Sequence, residues 1–307
     1  MKATHPTITV CTPVHNAEDR IEALLTGLQK QTFRDFEWII ADDGSTDGSS
    51  TRAQQIAGEQ TAVGKDTAFP ISLLTQKFLG RHVAVNRAVK AARGEFFTVL
   101  DSDALPKPEA FERLLEGWNS IPAQERPYFA GVFTVTELPN GKLNGSLFPA
   151  SPFDSNSIET GTHYGIGGRK WGLIRTELVR ENPYPVFSGE KFVPEELLLN
   201  RIGRNRLTRY LNEPLLTVPA PEDKLRRLHN WAGSPRAAAL FYNELSEQRI
   251  PLSHKIRASA QFVRYSMHAG IIPDNIYKQA NKKLITFFML WPGLVLYKRD
   301  QKQLSTG

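Results

Sequence analysis

The sequence predicts an α/β domain on a largely parallel sheet, followed by a helical C-terminal extension. Three observations carry this reading. Short apolar runs alternate with segments of helical periodicity from residue 7 to residue 136. Three of those runs end directly on polar clusters. Beyond about residue 220 only helical segments remain, which divides the chain into 1–220 and 221–307.

The elements follow in order. Thr7 to Thr12 alternates Ile8 and Val10 with polar residues and reads as a strand. Asn16 is placed as an N-cap with Asp19 three residues on, much like a capping box, ahead of a stripe of Ile21, Leu24, Leu25 and Leu28. Phe36 to Ala41 is a second strand, broken by Asp42-Asp43-Gly44-Ser45, and Ile71 to Leu74 is a short third. The segment from Val83 to Ala92 carries Val85, Ala88, Val89 and Ala92 at helical spacing, with Gly94 just beyond its end. Phe96 to Leu100 is a strand that runs into Asp101-Ser102-Asp103. A helix with the stripe Phe111, Leu114, Leu115 and Trp118 follows, then a strand from Tyr128 to Thr136 and a turn at Pro139-Asn140-Gly141. Helices are expected over 235–247, 253–269 and 275–297.

The two carboxylates of Asp101 and Asp103 lie two apart on an extended segment and so point to one side. Such a pair can share a hard divalent cation, which prefers oxygen ligands and often bridges to phosphates. In open α/β sheets ligands bind outside the carboxyl ends of the strands. Thr12 to Asn16, Asp42 to Ser45 and Asp101 to Asp103 occupy those ends and are expected to converge on one crevice. A calcium loop starting at Asp43 fails, because its twelfth position is Gln54 rather than Glu.

Composition narrows the function classes. The 307 residues are 40% hydrophobic and 23% charged, as in soluble globular proteins. A single cysteine, Cys11, excludes an internal disulfide framework and a cysteine-based zinc site. No apolar signal segment opens the chain, so residence in the cytoplasm is the expectation. The net charge of +6 is uneven: residues 222–307 hold 14 Lys and Arg against 6 Asp and Glu, and the remainder 24 against 26. A basic tail suits an anionic surface, and equally an ordinary solvated helical surface. No nucleic-acid module accompanies the charge, so no nucleic-acid partner is expected. The apolar run 284–297 is too short to span a bilayer and contains Pro292 and Gly293. Lys282-Lys283 and Lys298-Arg299 flank it. It could lie at the inner face of a membrane with Trp291 and Tyr297 at headgroup level, or pack on protein.

Residues 7–105 resemble a family 2 glycosyltransferase of the GT-A fold, a Rossmann-like, mostly parallel sheet flanked by helices. Three segments carry the resemblance: Thr12-Pro13-Val14-His15-Asn16, the stretch from Ala41 to Ser49 (ADDGSTDGS), and Gly80 to Asp103 with Asn86 in its helix. From Glu137 to Val186 the likeness is poor. The resemblance implies an inverting, metal-dependent enzyme of bacterial polysaccharide or glycolipid assembly. It would take a nucleotide-diphosphate sugar, with a UDP-sugar as donor, and a glycan or lipid-linked acceptor. Thr12, Pro13, Val14, Asn16, Asp42 and Asp43 would then hold the nucleoside, with Asn86, Asp101 and Ser102 also on the donor. Asp103 and Asp101 would position Mn²⁺ or Mg²⁺, with His229 as a third ligand. Arg81 and His82 either approach the donor or form a solvated first turn. In Val193-Pro194-Glu195-Glu196, either Glu195 or Glu196 is the base for the acceptor hydroxyl. Arg201, Arg204, Arg206 and Arg209 suit phosphate recognition. Two rivals remain: a nucleotide-sugar-binding protein of this fold without activity, and a nucleotidyltransferase. The second would be expected to carry a Gly-rich phosphate loop, which Thr12 to Asn16 is not.

Overall fold

The computed structural model describes residues 5–62 and 69–305. In chain order the strands are β1 (Ile8–Val14), β2 (Phe36–Asp43), β3 (Ile71–Gln76), β4 (Phe96–Val99), β5 (Leu105–Pro106), β6 (Phe129–Glu137), β7 (Leu143–Asn144), β8 (Phe153–Ser155), β9 (Lys170–Arg175) and β10 (Leu207–Thr217). The helices are α1 (Glu18–Gln29), α2 (Ser49–Ala62), α3 (Arg81–Ala91), α4 (Ala110–Asn119), α5 (Ser157–Thr162), α6 (Thr176–Glu181), α7 (Glu196–Gly203), α8 (Lys224–Gly233), α9 (Pro235–Glu247), α10 (Leu252–His268), α11 (Pro273–Gln279) and α12 (Lys283–Ser305). Two compact units divide the chain: one of Met1–Ser157, Ile166–Pro183 and Asn205–Ala220, the other of Ile158–Gly165, Tyr184–Arg204 and Pro221–Gly307.

The first unit is an open mixed sheet in the order β3-β2-β1-β4-β9-β6-β10-β5, with β7 on β6 and β8 on β10. β1 runs parallel to β2 and β4, with Ile8 opposite both Phe36 and Phe96, and β2 runs parallel to β3. β9 enters antiparallel between β4 and β6, and β10 pairs with β6 in parallel. β2 is buried along its whole length, as a central strand covered on both faces should be. The apolar stripe of α1, Ile21, Leu24, Leu25 and Leu28, packs into the same core as Trp38, Phe111 and Trp171. The Trp38 indole is satisfied there by donating to the Thr12 hydroxyl at 2.9 Å.

One local expectation is corrected. Asn16 does not cap α1: Ala17 is the N-cap residue, without a side-chain capping bond. Asn16 takes a left-handed conformation (φ +51°), and its Oδ1 accepts from Thr46 N at 2.8 Å. The donors at the start of α1 are satisfied from the neighbouring loop, with Ala17 N donating to Ser49 Oγ at 2.8 Å and Glu18 N to Asp47 Oδ2 at 3.4 Å. A partner about thirty residues away thus displaced the local cap.

The second unit is helical. α9, α10 and α12 pack around Ala238, Phe262, Val263, Tyr265 and Ile276, with Trp231 of α8 against Phe241, Tyr242 and Tyr265. The helix expected over 275–297 is two helices. Asn243 of α9 holds the break, donating to Gln279 O and accepting from Asn281 N, both at 2.9 Å. α12 then runs unbroken through Pro292. Among the described residues no helix is long and apolar enough to cross a membrane.

Gly94 sets how closely β4 approaches β1. A Cβ there would lie 2.5 Å from Thr9 N and 2.7 Å from Ile8 C, both backbone atoms. Gly94→Ala should cost roughly 1–3 kcal/mol by overpacking, read as a Tm lowered by several degrees. An unchanged Tm would show that the strands can separate freely.

Candidate active site

Parallel pairing of β1, β2, β3 and β4 puts their carboxyl ends on one edge of the sheet. Val14, Asp43, Gln76 and the residues after Val99 therefore meet, and side-chain bonds join them. Asn16 N donates to Ser45 Oγ at 3.0 Å, and His15 Nδ1 donates to Asp43 O at 3.0 Å. The exposed His15 ring stacks on Phe78, with centroids 4.2 Å apart and planes 18° from parallel.

The two adjacent carboxylates at the end of β2 are buried and engaged by protein donors. Asp42 Oδ1 accepts from Ser45 N at 3.2 Å and from the Ser45 hydroxyl, which closes the turn after β2. Asp43 accepts from Gln76 Nε2 at 2.7 Å, Leu79 N at 2.8 Å and Gly80 N at 2.9 Å. It thereby fixes the loop that enters α3. Gly44 admits that loop: its φ is +71°, and a Cβ would lie 2.5 Å from Phe78 N. Gly80, with φ +107°, turns the chain into α3 so that Arg81 occupies the first turn.

Asp101 lies between two guanidiniums. Arg81 donates through Nε at 3.1 Å and Nη2 at 2.7 Å to Oδ1, and Arg169 donates through Nη2 to Oδ2. Burial alone would raise this carboxyl, but the Arg81 and Arg169 charges outweigh it and hold it well below the usual carboxylate range. Both oxygens of Asp101, a residue expected to help position a metal, thus accept from arginine in this structure. Asp103 is 39% exposed, with Arg20 Nη1 3.8 Å from its Oδ2. Among the described residues no three His, Cys, Asp or Glu side chains come together as a protein-only metal cage. Ser102 and Asn86 are half-buried, Pro13 likewise, and Thr12 and Val14 are buried. Cys11 is buried in β1, and burial pushes its thiol up to about 12, so it is no nucleophile.

Glu195, Glu196 and His229 belong to the second unit. Glu195 is the half-buried residue preceding α7, and Glu196 is its exposed first residue. The segment leading to them is anchored by Glu190, whose carboxylate accepts from Arg236 N and Ala237 N at 2.8 and 2.9 Å and so caps α9. His229 is exposed on α8 and donates Nδ1 to Leu225 O at 2.9 Å, the tautomer that leaves Nε2 basic. In the arginine-dense stretch, Arg201 and Arg204 pair with Glu244, Arg209 makes a two-pronged pair with Asp154, and Arg206 Nη1 donates to Asn205 O at 3.0 Å. Sequence reasoning passed over Arg169 and Phe78. Arg169 sits in the poorly matching stretch before β9, and only the fold of that strand brings it to Asp101. Trp171, on the same strand, is a core residue whose indole donates to Val99 O at 3.1 Å, two residues before Asp101.

Comparison with known proteins bears on the family and the fold. The model of Glycosyl transferase family 2 matches residues 9–180. The glycosyltransferase YibD of Escherichia coli (strain K12) is 32% identical over 309 residues, covering 89% of this chain and 86% of that protein. The chain belongs to glycosyl transferase family 2. EpsH of Bacillus subtilis (strain 168) is 33% identical over 110 residues, and the match covers 36% of this chain but 30% of EpsH. The crystal structure of S. aureus TarS superposes with a TM-score of 0.65 at 17% identity, covering 96% of this chain and 55% of TarS. That likeness concerns the fold, the mixed open sheet with flanking helices of GT-A glycosyltransferases.

The Asp101 cluster yields a signed stability prediction. Its depressed folded pKa contributes stability that is present above the unfolded value, about 3.9, and lost as pH falls through the folded one. Asp101→Asn should cost about 1–3 kcal/mol near neutrality through lost bonds to charged groups. The gap to the natural protein should narrow as the pH drops below about 4 in denaturant titrations. A gap independent of pH would place the carboxylate outside the cluster.

Proposed function

We propose that this family 2 enzyme transfers a sugar from a nucleotide-diphosphate donor, a UDP-sugar, to a hydroxyl of a glycan or lipid-linked acceptor with inversion at the anomeric carbon. The observation that carries the proposal is the shared edge of β1, β2, β3 and β4, where Asp101 holds two arginines and Asp103, two residues on, is partly exposed near Arg20. TarS, of the same fold, has been solved in complex with UDP-GlcNAc. The proposal for this chain is a donor of the same kind.

The roles follow from the side chains. The stacked His15 and Phe78 rings, with the turn from Thr12 to Asn16, offer a face for the base. Asp42 and Asp43 keep that face in shape, Asp43 by fixing the Leu79–Gly80 backbone. Asn86, on α3, and Ser102, beside Asp101, complete the donor's surroundings in this reading. Asp101 aligns Arg81 and Arg169, and the positive charge of the two guanidiniums would favour a diphosphate.

The fit to a divalent cation rests on Asp103. Its carboxylate is partly exposed, whereas Asp101 is bonded to arginine on both oxygens. Mn²⁺ or Mg²⁺ held by one protein carboxylate, with its other oxygens from the donor diphosphate and water, is a bonding pattern common to such ions. The family resemblance suggests His229 as a further ligand. Bound there, the ion would offset the charge that develops on the leaving nucleoside diphosphate.

Glu195, half-buried ahead of α7, is the proposed base that takes the acceptor's proton; Glu196 is the alternative. A direct displacement needs one such base and no protein nucleophile. Glu195→Gln should lower kcat by roughly 10²–10⁴-fold while UDP affinity stays unchanged. Unchanged turnover would move the role to Glu196. Asp103→Ala should abolish Mn²⁺-dependent turnover of the UDP-sugar while leaving the fold intact, and full metal-stimulated activity in that variant would reject the cation assignment. Donor binding without turnover on any hydroxyl acceptor would favour the binding-protein rival.

A further inference from the structure

α12 is docked by its least apolar side. Its buried positions are Thr286, Gly293 and Asp300, spaced seven apart. Gly293 permits a close crossing of α10, since a Cβ there would lie 2.5 Å from the Val263 side chain. Asp300 is held by Arg264 of α10, with Nη2 donating to Oδ1 at 2.6 Å and Nε to Oδ2, and by His268 Nε2 at 3.0 Å. The helix is thus fixed in rotation by a glycine contact and a buried charge cluster.

The opposite face is apolar and open. Leu284, Phe287, Phe288, Trp291 and Val295 are exposed by 73, 58, 64, 73 and 51%. At about 100° per residue these five fall within an arc of roughly 100°. Lys298 and Lys302 continue the same arc over the next two turns, with Arg299 at its edge, and all three are exposed. Tyr277 of α11, 41% exposed, meets the Phe287 ring and widens the patch. A contiguous apolar face of this kind marks an interaction surface rather than ordinary exposure.

We propose that α12 seats the second unit on an anionic lipid surface. Its apolar face enters the acyl boundary, Trp291 lies near headgroup level, and Lys298, Arg299 and Lys302 meet lipid phosphates. The charges choose this occupant. In a parallel pairing with a second copy, the three cations would face their own counterparts; in an antiparallel pairing they would face the apolar stretch. Neither problem arises on acidic headgroups, which attract basic residues adjoining an amphipathic face. The 14 Lys and Arg against 6 Asp and Glu over residues 222–307 act in the same direction.

Flotation of the full chain with vesicles tests this without reference to sugar transfer. The chain should float with vesicles of phosphatidylglycerol and phosphatidylethanolamine, stay behind with phosphatidylcholine alone, and be released by raised salt. Phe288→Ser/Trp291→Ser and Lys298→Glu/Arg299→Glu should each cut the lipid-bound fraction about tenfold or more. Their melting should match the natural protein, because these side chains lie outside the packed face. Failure of the natural chain to float, or equal flotation with neutral vesicles, would overturn the proposal. So would a dimer in sedimentation that the same substitutions dissolve, which would assign the face to a second copy.

Discussion

The parallel register of β1 against β2 and β4 is the constraint on which the site depends. With Ile8 opposite both Phe36 and Phe96, all three strands run the same way and finish on the same edge. Whatever polar residues follow them must then share that edge. Gly94 makes the register tight by letting β4 reach the β1 backbone, and Thr9 Oγ1 accepts Gly94 N at 2.9 Å to close the approach. On that edge side-chain contacts gather residues 15, 43, 78, 81 and 101.

Carboxylates dominate the motifs, yet most of them hold other groups in position. Asp42 closes a turn, Asp43 fixes the entry to α3, and Asp101 aligns two guanidiniums. Such charge-assisted bonds are strong where water is partly excluded. In the proposed reading, Arg81, Arg169 and Asp103 are the groups that address the donor. An anionic ligand would meet two cations for the one carboxylate that orients them.

The parts legible in the sequence were those set by local periodicity. The apolar stripe of α1, the alternation in β1 and the run of β2 each reflect burial of one face or of both. The convergence of three strand-end clusters was also readable, because parallel topology follows from the alternation of strands and helices. What escaped was decided at long range. The Asn16 cap failed because Thr46 N claimed its oxygen. β9 and β10 were not marked out, since β9 pairs antiparallel with partners far away in the chain. Arg169 was hidden for the same reason. α12 was half-read: its apolar run stood out, but that its polar side would be the packed one required Arg264 and His268 of another helix.

The central claim is that the strand edge receives a nucleoside diphosphate through the arginines that Asp101 aligns. Calorimetric titration of UDP into the natural chain and into Arg169→Met tests it most directly. A clear affinity for the natural chain, weakened about tenfold or more in the variant by loss of charge-assisted bonds, is the expected outcome. Equal UDP affinity in the two chains would contradict the account, since the diphosphate would then be bound elsewhere.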